Sequence, residues 1–452
     1  ATDVRQPDIV VGARHDSPLV VGLGDGENFL GSDVAAFVAY TKRAMEIDQD
    51  QAVMVSADKV VVSDFMGNIV EHPKTYTVDW DASAAEKGGW DSFMDKEIHE
   101  DPAAVQRTLL GRLDKDGNIN LDEIRIDEHE VKAIDKIIVI ACGTAAYAGM
   151  VAKYAIEHWV RIPVEVELAH EFRYRDPILT PRTLVVAISQ SGETMDTLMA
   201  LRHAREQGSK VLAICNTQGA SIPRESDAVL YTHAGPEVAV ASTKAFVAQI
   251  TAAYVLGLYL AQVKGAMYRD EIAQTLDSLK DMPRKIQWVL DTQTKTVQEA
   301  AKQMVDAKSF LFLGRHVGYP VAMEGALKLK EIAYVHAEAY AAGELKHGTI
   351  SLIEEGTLVV ALCTYAPLFD KAVSNIVEVQ ARGADVIALT TEGRRRQMGK
   401  TVENVLTVPD THLILQPSLG VIPLQLFAYY VALQRGCDID KPRNLAKSVT
   451  VE

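Results

Sequence analysis

Cysteine is scarce in this sequence: the four in 452 residues lie far apart, at positions 142, 215, 363 and 437. No two of them have the spacing of a metal site or of a disulfide-stapled small domain. Three lie in apolar, strand-like runs, where small buried thiols in a reducing cytoplasm explain them. We therefore expect a cytoplasmic protein without a metal site.

An excess of positive charge is also missing, because 46 Lys and Arg residues face 61 Asp and Glu residues, for a formal charge of −15. Without a long basic run, neither nucleic acid nor an anionic membrane is an expected partner. No apolar stretch approaches the roughly 20 residues of a membrane span, and the start shows no signal-peptide pattern. We expect no membrane association, and solubility is the simplest interpretation of the charge.

Hydrophobic residues, by contrast, make up 48% of the chain, and its length suggests two or three domains. The pentapeptide TLVVA occurs at Thr183–Ala187 and again at Thr357–Ala361, and Lys210–Thr217 (KVLAICNT) matches Asp385–Glu392 (DVIALTTE). A domain-sized unit is therefore repeated. In each unit, continuous apolar runs alternate with helix-period segments, which predicts an α/β doubly wound parallel sheet.

Five regions follow from this pattern. Residues 1–95 are rich in short strand and turn signals, which predict β-hairpins. A charged connector, residues 96–129, leads to a first α/β unit at 130–280. The second unit occupies residues 295–436, and 437–452 form an irregular tail.

The most distinctive loop is Ser189–Thr194 (SQSGET), between the first TLVVAI strand and a predicted helix at Met195–Glu206. Such a loop lies at the carboxyl end of a strand and offers backbone N–H groups and hydroxyls to an anion. It predicts a phosphate site, although an ordinary hydroxyl-capped turn explains the loop equally well. Thr144 and Ser242 follow other apolar runs and are further hydroxyl candidates, whereas the corresponding loop of the second unit, Cys363–Pro367, lacks the pattern.

A charged stripe marks the segment Pro320–Tyr340, which is otherwise apolar and predicts a largely buried helix. Glu324, Lys328 and Glu331 fall on one face of that helix. Unpaired charges on a buried helix are unfavourable by several kcal/mol, so the stripe predicts a polar site. The alternative is an ion pair on a partly solvated face.

Two further residues are weak candidates when taken alone. His347, between glycines, has the chemistry of a proton carrier near neutral pH, yet most loop histidines are structural or exposed. Lys447 in the tail is by itself an ordinary solvated lysine.

Taken together, the motifs resemble one family along essentially the whole chain, the glutamine–fructose-6-phosphate aminotransferases (isomerizing). The residues that carry the resemblance are Ala141–Thr144 (ACGT), Ser189–Thr194, Val240–Ala245 (VASTKA), Glu324–Glu331 (EGALKLKE), His336–Gly348 and Pro442–Glu452. The resemblance implies two sugar isomerase (SIS) domains, a flavodoxin-like form of the doubly wound sheet. It also implies conversion of fructose 6-phosphate to glucosamine 6-phosphate with ammonia from glutamine, the first step towards UDP-N-acetylglucosamine, by a homodimer without a cofactor.

The resemblance also assigns roles to the candidates. The residues implied to hold the sugar phosphate are Ser189, Gln190, Ser191 and Thr194, with Thr144 and the loop from Val240 to Ser242 lining the sugar site. Lys447 forms an imine with the C2 carbonyl, and Glu331 moves a proton from C1 to C2. His347 opens the sugar ring from the neighbouring subunit, and Glu324 and Lys328 complete the polar stripe.

Two departures from the family pattern change the expectations. Ala145 stands where the family often has serine after ACGT, so one sugar contact is expected to be lost or replaced by water. Residues 1–95 resemble only the C-terminal part of the family's glutaminase domain, in which Asp33 is a relic of the glutamine site. The chain starts with Ala1 and not with the nucleophilic cysteine. We therefore expect no glutaminase activity and an exposed apolar surface in this part.

Two other functions remain open on the sequence. A sugar-phosphate-binding regulatory module keeps the phosphate loop but needs neither the stripe nor the tail lysine. A pure sugar-phosphate isomerase is the other alternative, and it describes what the chain does when no ammonia is supplied.

Overall fold

The computed structural model describes residues 1–15, 19–32, 34–78, 86–113, 118–121 and 123–450. Asp33, predicted as a relic of a glutamine site, lies outside the described residues.

The N-terminal part consists of two four-stranded antiparallel sheets, ordered β1-β2-β6-β7 and β4-β3-β5-β8, which confirms the predicted hairpins. Their strands are β1 Thr2–Asp3, β2 Gln6–Arg14, β3 Val20–Leu23, β4 Asn28–Gly31, β5 Arg43–Glu46, β6 Gln51–Val55, β7 Val60–Asp64 and β8 Thr75–Thr77. A short 3₁₀ helix spans Val34–Ala36. On β2, the neighbouring residues Val10 and Val11 are 39% and 42% exposed, so apolar side chains are open to solvent on both faces of this strand, as expected.

The connector forms three short helices, α1 Phe93–His99, α2 Asp101–Leu109 and α3 Glu128–Ala133. Ser92 caps α1 by accepting a hydrogen bond from the backbone N–H of Asp95 at 3.1 Å. The carboxylate of Asp440, in the distant tail, accepts from the N–H groups of Phe93 and Met94 at 3.0 and 3.1 Å. The N-terminus of α1 is thereby joined to the tail.

The first α/β domain has a five-stranded parallel sheet of order β10-β9-β11-β12-β13. Its strands are β9 Lys136–Ala141, β10 Val164–Leu168, β11 Thr183–Ser189, β12 Lys210–Cys215 and β13 Ala228–Tyr231. Its helices are α4 Gly143–Val160, α5 Ala169–Phe172, α6 Met195–Glu206, α7 Ser221–Glu225 and α8 Lys244–Lys264. α9 Arg269–Lys280 and α10 Met282–Gln303 connect the two domains, and α10 packs mainly on the second. β9 and β11 are buried throughout, apart from half-buried Lys136, as continuous apolar runs predict.

The second α/β domain repeats the topology, with order β15-β14-β16-β17-β18. Its strands are β14 Ser309–Gly314, β15 His336–Ala341, β16 Leu358–Cys363, β17 Asp385–Thr391 and β18 Asn404–Val408. Its helices are α11 Gly318–Ala333, α12 Phe369–Gln380, α13 Arg395–Met398 and α14 Pro417–Gln434, with 3₁₀ helices at Ala342–His347, Thr349–Leu352, Ala366–Leu368, Glu392–Arg394 and Leu413–Leu415. The two copies of TLVVA lie at the corresponding strands β11 and β16, so the predicted repeat of a doubly wound unit is confirmed.

The helix predicted from the segment 320–340 is shorter than expected. It ends at Ala333, because Tyr334 adopts a left-handed backbone conformation with φ +55°, and the following residues form the edge strand β15. Composition alone did not reveal this stop, since the chain remains rich in alanine beyond it.

Two central helices overturn the expectation that no apolar stretch approaches the length of a membrane span. Among the described residues, Lys244–Lys264 and Leu413–Gln434 have mean hydropathies of 1.5 and 1.3 and are long enough to cross a bilayer. They are, however, 83% and 94% buried inside the protein. α4 packs on α8, and α10 and α11 pack on α14, so both helices are surrounded by protein and are apolar on every face.

Candidate active site

The candidate residues gather at the carboxyl edge of the first parallel sheet. The strand order reverses between β9 and β11, which is where open α/β sheets bind their ligands. Thr144 lies in the first turn of α4, directly after β9, and the loop 189–194 follows β11. The topology thus places Thr144 and the hydroxyl-rich loop 189–194 on either side of one crevice.

The loop 189–194 is held by its own hydroxyls. Ser189 Oγ accepts from the backbone N–H of Gly192 at 3.0 Å and contacts Thr194 Oγ1 at 3.0 Å. Ser191 Oγ accepts from the N–H of Glu193 at 3.2 Å. The loop therefore has a fixed shape at the N-terminus of α6, where the helix dipole favours an anion.

The position of Gly192 in this loop leaves no room for a side chain. Its φ is +69°, and a Cβ there would lie 2.6 Å from Ala220 Cβ and 2.7 Å from Cys215 Sγ. The loop is therefore packed tightly against the end of β12 and the start of α7.

The irregular tail lies across this loop. Ser448 Oγ is 3.0 Å from Ser191 Oγ, and the backbone N–H of Met195 donates to the carbonyl of Val449 at 3.1 Å. Val240 N–H donates to the carbonyl of Asp440 at 3.0 Å. Although it lacks regular secondary structure, the tail is fixed by hydrogen bonds on both sides of Lys447.

Lys447 makes an ion pair that the sequence did not reveal. Its Nζ donates to Glu237 Oε2 at 2.5 Å and to the carbonyl of Ala239 at 2.8 Å. The other oxygen of Glu237 accepts from the N–H groups of Thr243 and Ala245, at 2.9 and 3.0 Å, and so caps α8. Burial alone would raise the pKa of Glu237, but the Lys447 ammonium and these hydrogen bonds lower it to about 2.

A second buried acid supports the same loop. Glu97 of α1 accepts from the N–H groups of Val238 and Ala239 at 2.5 and 3.2 Å. Burial and the negative charge of Glu237 raise the pKa of Glu97 to about 8. Glu97 is therefore largely neutral near pH 7, whereas Glu237 is ionised.

The stripe on α11 crosses from the second domain to Thr144 of the first. Lys328 Nζ lies 2.5 Å from Glu331 Oε2 and 3.4 Å from Glu324 Oε1, and it donates to Thr144 Oγ1 at 3.1 Å. Thr144 in turn donates to Glu324 at 3.2 Å. Glu324 and Lys328 are 0% exposed, so a pair on a solvated face does not describe them; only Glu331 retains some contact with solvent.

The charges of the stripe are set by burial and by one another. Burial raises the pKa of Glu324 to about 8, against the opposing effect of Lys328. Burial alone would lower the pKa of Lys328, but Glu324 and Glu331 raise it above its ordinary value. The stripe therefore contains a neutral carboxyl group and a permanent ammonium.

A cavity of about 670 Å³ opens between the loop 189–194 and the tail, and Thr144 and the stripe on α11 are not among the residues that line it. It is lined by the predicted residues Gln190, Ser191 and Lys447, and by Glu237. Residues of the N-terminal part also line it, namely Ser32, Val34, Tyr76 and Val78. This volume suits a small phosphorylated metabolite.

Not every candidate joins this cluster. His347 is exposed at the end of the 3₁₀ helix 342–347, and within the described residues no hydrogen bond or ion pair links it to the other candidates. Val240 and Ser242 are half-buried in the loop before α8, and Ala145 is buried in the first turn of α4. Over the described part of the chain, no group of three His, Cys, Asp or Glu side chains is arranged to hold a metal ion.

Comparison with known families and curated proteins gives a consistent result. The SIS domain family matches residues 131–259 and 303–435. A Corynebacterium efficiens protein named glutamine–fructose-6-phosphate aminotransferase (isomerizing) is 61% identical over 456 aligned residues, which cover 100% of this chain and 73% of the relative. A Streptomyces coelicolor protein of the same name is 58% identical, with 100% and 74% covered.

Solved structures agree with these relatives. The C-terminal domain of glucosamine-fructose-6-phosphate aminotransferase from Francisella tularensis superposes with a TM-score of 0.76 and is 39% identical, covering 79% of this chain and 100% of that one. A glucosamine-6-phosphate deaminase from Thermotoga maritima, at 22% identity and a TM-score of 0.62 over 79% of this chain and 99% of its own, shows the shared fold alone.

Replacing Glu324 by glutamine should change how stability depends on pH. The folded protein keeps a proton on Glu324 up to a pKa of about 8, whereas the unfolded chain releases it near the ordinary value of 4.5. The free energy of unfolding therefore falls as pH rises through this window, by up to about 1.4 kcal/mol per pH unit. In urea unfolding from about pH 5 to about pH 8, Glu324→Gln should gain stability relative to the parent as pH rises.

The matched control is Glu299→Gln, an exposed residue of α10, which should follow the parent's pH profile. Parallel profiles for Glu324→Gln and the parent would contradict a neutral Glu324.

Gly192→Ala should destabilise the protein more than Gly208→Ala. Both positions have positive φ, +69° and +87°, but a Cβ at Gly208 meets nothing within 4 Å. The two substitutions share the backbone strain, and only Gly192→Ala adds the collision, which corresponds to about 1–3 kcal/mol. Urea unfolding measures the difference, and equal losses for the two variants would show that the loop is loosely packed.

Proposed function

The chain belongs to the glutamine–fructose-6-phosphate aminotransferase (isomerizing) family, and on that premise we propose how its residues convert fructose 6-phosphate and ammonia into glucosamine 6-phosphate. The observation that carries the proposal is the convergence on one cavity of a hydroxyl-rich loop and the tail lysine, Lys447. The relatives are named as enzymes, which favours catalysis over the alternative of a regulatory module that only binds a sugar phosphate. In the complete enzyme we propose that the ammonia comes from glutamine, and that the protein acts in the cytoplasm.

We propose that the loop 189–194 binds the phosphate group. The side chains of Ser189, Gln190, Ser191 and Thr194 and the N-terminus of α6 supply donors without a lysine or arginine. Ser191 and Gln190 already face the cavity. Thr144 and the loop 240–242, at the same edge of the sheet, are proposed to line the remainder of the sugar.

Lys447 is proposed to attack the C2 carbonyl of the open-chain sugar and to form an imine. An imine makes the C1 protons more acidic, so a neighbouring carboxylate can remove one. Lys447 is suited to this role because it lies in the same cavity as the phosphate loop and its tail is fixed on both sides.

Glu331 is the proposed proton carrier between C1 and C2. Among the three charged residues of the stripe it is the partly exposed one, so it can reach a bound substrate. Its partner Lys328, 2.5 Å away, holds the carboxyl group in position. Glu324, buried and neutral, fixes Lys328 and Thr144 in place.

We propose that His347 opens the sugar ring in the active site of a second subunit, which requires a homodimer. The exposure of His347 on the second domain, away from the cluster of its own subunit, supports this arrangement. A ring-opening group must donate and accept protons near neutral pH, and histidine is the side chain suited to that task.

Lys447→Arg and Glu331→Gln should separate covalent capture from proton transfer. Arginine keeps the charge but remains protonated, so borohydride should trap no fructose 6-phosphate on this variant. Glu331→Gln should trap the sugar normally but stop exchange of the C1 proton with solvent. Mass spectrometry of the reduced protein and deuterium exchange at C1 are the measurements, and both variants should still bind the sugar phosphate.

Lys441→Arg, an exposed lysine of the same tail, is the matched control and should behave as the parent. Parental trapping by Lys447→Arg, or parental exchange by Glu331→Gln, would show that these roles are wrongly assigned.

Mixed dimers test the shared site. His347→Ala and Lys447→Arg should each be nearly inactive when produced alone. When the two are co-expressed, half of the dimers are mixed, and each mixed dimer has one intact site if His347 acts across the interface. About a quarter of the parental activity should return. No recovery, with mixed dimers demonstrated by differential tags, would place His347 in the site of its own subunit.

A further inference from the structure

We propose that Glu237 is a catalytic residue, the group that takes a proton from Lys447 and returns it to the leaving oxygen during imine formation. This role rests on the proposed function of Lys447 as the imine former. It is carried by the geometry of a single carboxylate placed against the reacting nitrogen.

Lys447 and Glu237 are in direct contact. Within the described part of the chain, Lys447 Nζ donates to Glu237 Oε2 at 2.5 Å and to the carbonyl of Ala239 at 2.8 Å. A carbonyl of a peptide does not accept a proton outright, whereas a carboxylate does. Glu237 is thus the base in contact with the amine that must be deprotonated before it can attack.

Glu237 is fixed in place by its surroundings. Its side chain is 1% exposed, and Oε1 is occupied by the two N–H groups that begin α8, from Thr243 and Ala245. Oε2 is consequently the oxygen left for Lys447. A carboxylate held by a helix N-terminus cannot turn away when the lysine gives up its charge, as a surface glutamate would.

The charges around Glu237 are mostly paired, because Lys244 Nζ lies 2.5 Å from Glu100 Oε2 and Lys328 Nζ lies 2.5 Å from Glu331 Oε2. The charged groups that face Glu237 from the elements packed around it are Glu97 of α1, Asp101 of α2, Lys244 of α8, Lys328 of α11 and Lys447 of the tail. Burial and Glu237 itself hold Glu97 and Asp101 towards their neutral forms. The Lys447 ammonium and the N–H groups of Thr243 and Ala245 keep Glu237 ionised, and its carboxylate becomes a better proton acceptor as Lys447 gives up its charge.

The reaction balances with these groups alone. The ammonium of Lys447 transfers one proton to Glu237, and the free amine attacks C2 of the open-chain ketose. A second proton passes from nitrogen to the former carbonyl oxygen to give the carbinolamine. Glu237 then protonates the hydroxyl group, the C–O bond breaks and water leaves. The product is a protonated imine, paired with the same carboxylate that had paired with the ammonium.

Glu237→Gln tests this role, because the amide oxygen can still cap α8 but the side chain cannot accept a proton. We expect the rate of borohydride-trapped adduct formation with fructose 6-phosphate to fall by about 10² to 10⁴ near pH 7, with sugar-phosphate affinity by calorimetry nearly unchanged. The rate should recover about tenfold per pH unit in alkaline solution, as hydroxide replaces the missing base.

Glu97→Gln is the matched control, since Glu97 holds the same loop without touching Lys447. It is expected to slow trapping only as far as the loop loosens and to show no alkaline recovery. If Glu237→Gln does not fold, Glu237→Asp decides: trapping at least about tenfold slower with unchanged affinity supports the role, and a parental rate overturns it.

The trapping experiment distinguishes a wrong function from a wrong role of Glu237. If the parent protein forms no adduct at Lys447, the proposed function is wrong. If the parent forms the adduct and Glu237→Gln forms it at the parental rate across the pH range, only the role of Glu237 is wrong.

Discussion

A lysine that lies outside any helix or strand can be positioned only by contacts with its surroundings, and this constraint organises much of the molecule. The tail that carries Lys447 is joined to α1 through Asp440, to the loop before α8 through Glu237, and to α6 through the carbonyl of Val449. The connector, the first α/β domain and the tail therefore meet around one ammonium group. The buried glutamate that pairs with it also begins the central helix α8.

The two α/β domains differ at the crevice where the strand order of each sheet reverses. In the first domain, a glycine-containing hydroxyl loop leaves space at the point where the strand order reverses. At the corresponding point of the second domain, the rings of His316 and Tyr365 stack with their centroids 4.1 Å apart, and Tyr154 of α4 lies 4.5 Å from His316. Aromatic packing between domains has taken the place of a ligand site, which agrees with the loss of the Ser and Gly pattern there.

The periodicity of the sequence was sufficient to predict the two parallel sheets and the charged stripe. The TLVVA runs lie on β11 and β16, and Glu324, Lys328 and Glu331 fall on one face of α11 because helix geometry is local. Glu237 and Glu97 were missed because their decisive partners are far away in the chain: Lys447 for Glu237, and the N–H groups of Val238 and Ala239 for Glu97. A glutamate a few residues before an apolar helix is a weak cue to a cap. The end of α11 at Tyr334 depended on a left-handed residue that composition does not encode.

Helix α11 has a consequence for how such a protein arises and how it can be divided. It belongs to the second copy of the duplicated unit, yet its charged face is completed by Thr144 of the first copy, through hydrogen bonds of 3.1 and 3.2 Å. The first copy carries the hydroxyl-rich loop, and the second carries the charged stripe. Gene fission between the copies, or recombination that replaced one copy by a relative's, would have to preserve the contact between α11 and Thr144. The two halves are therefore constrained to evolve together.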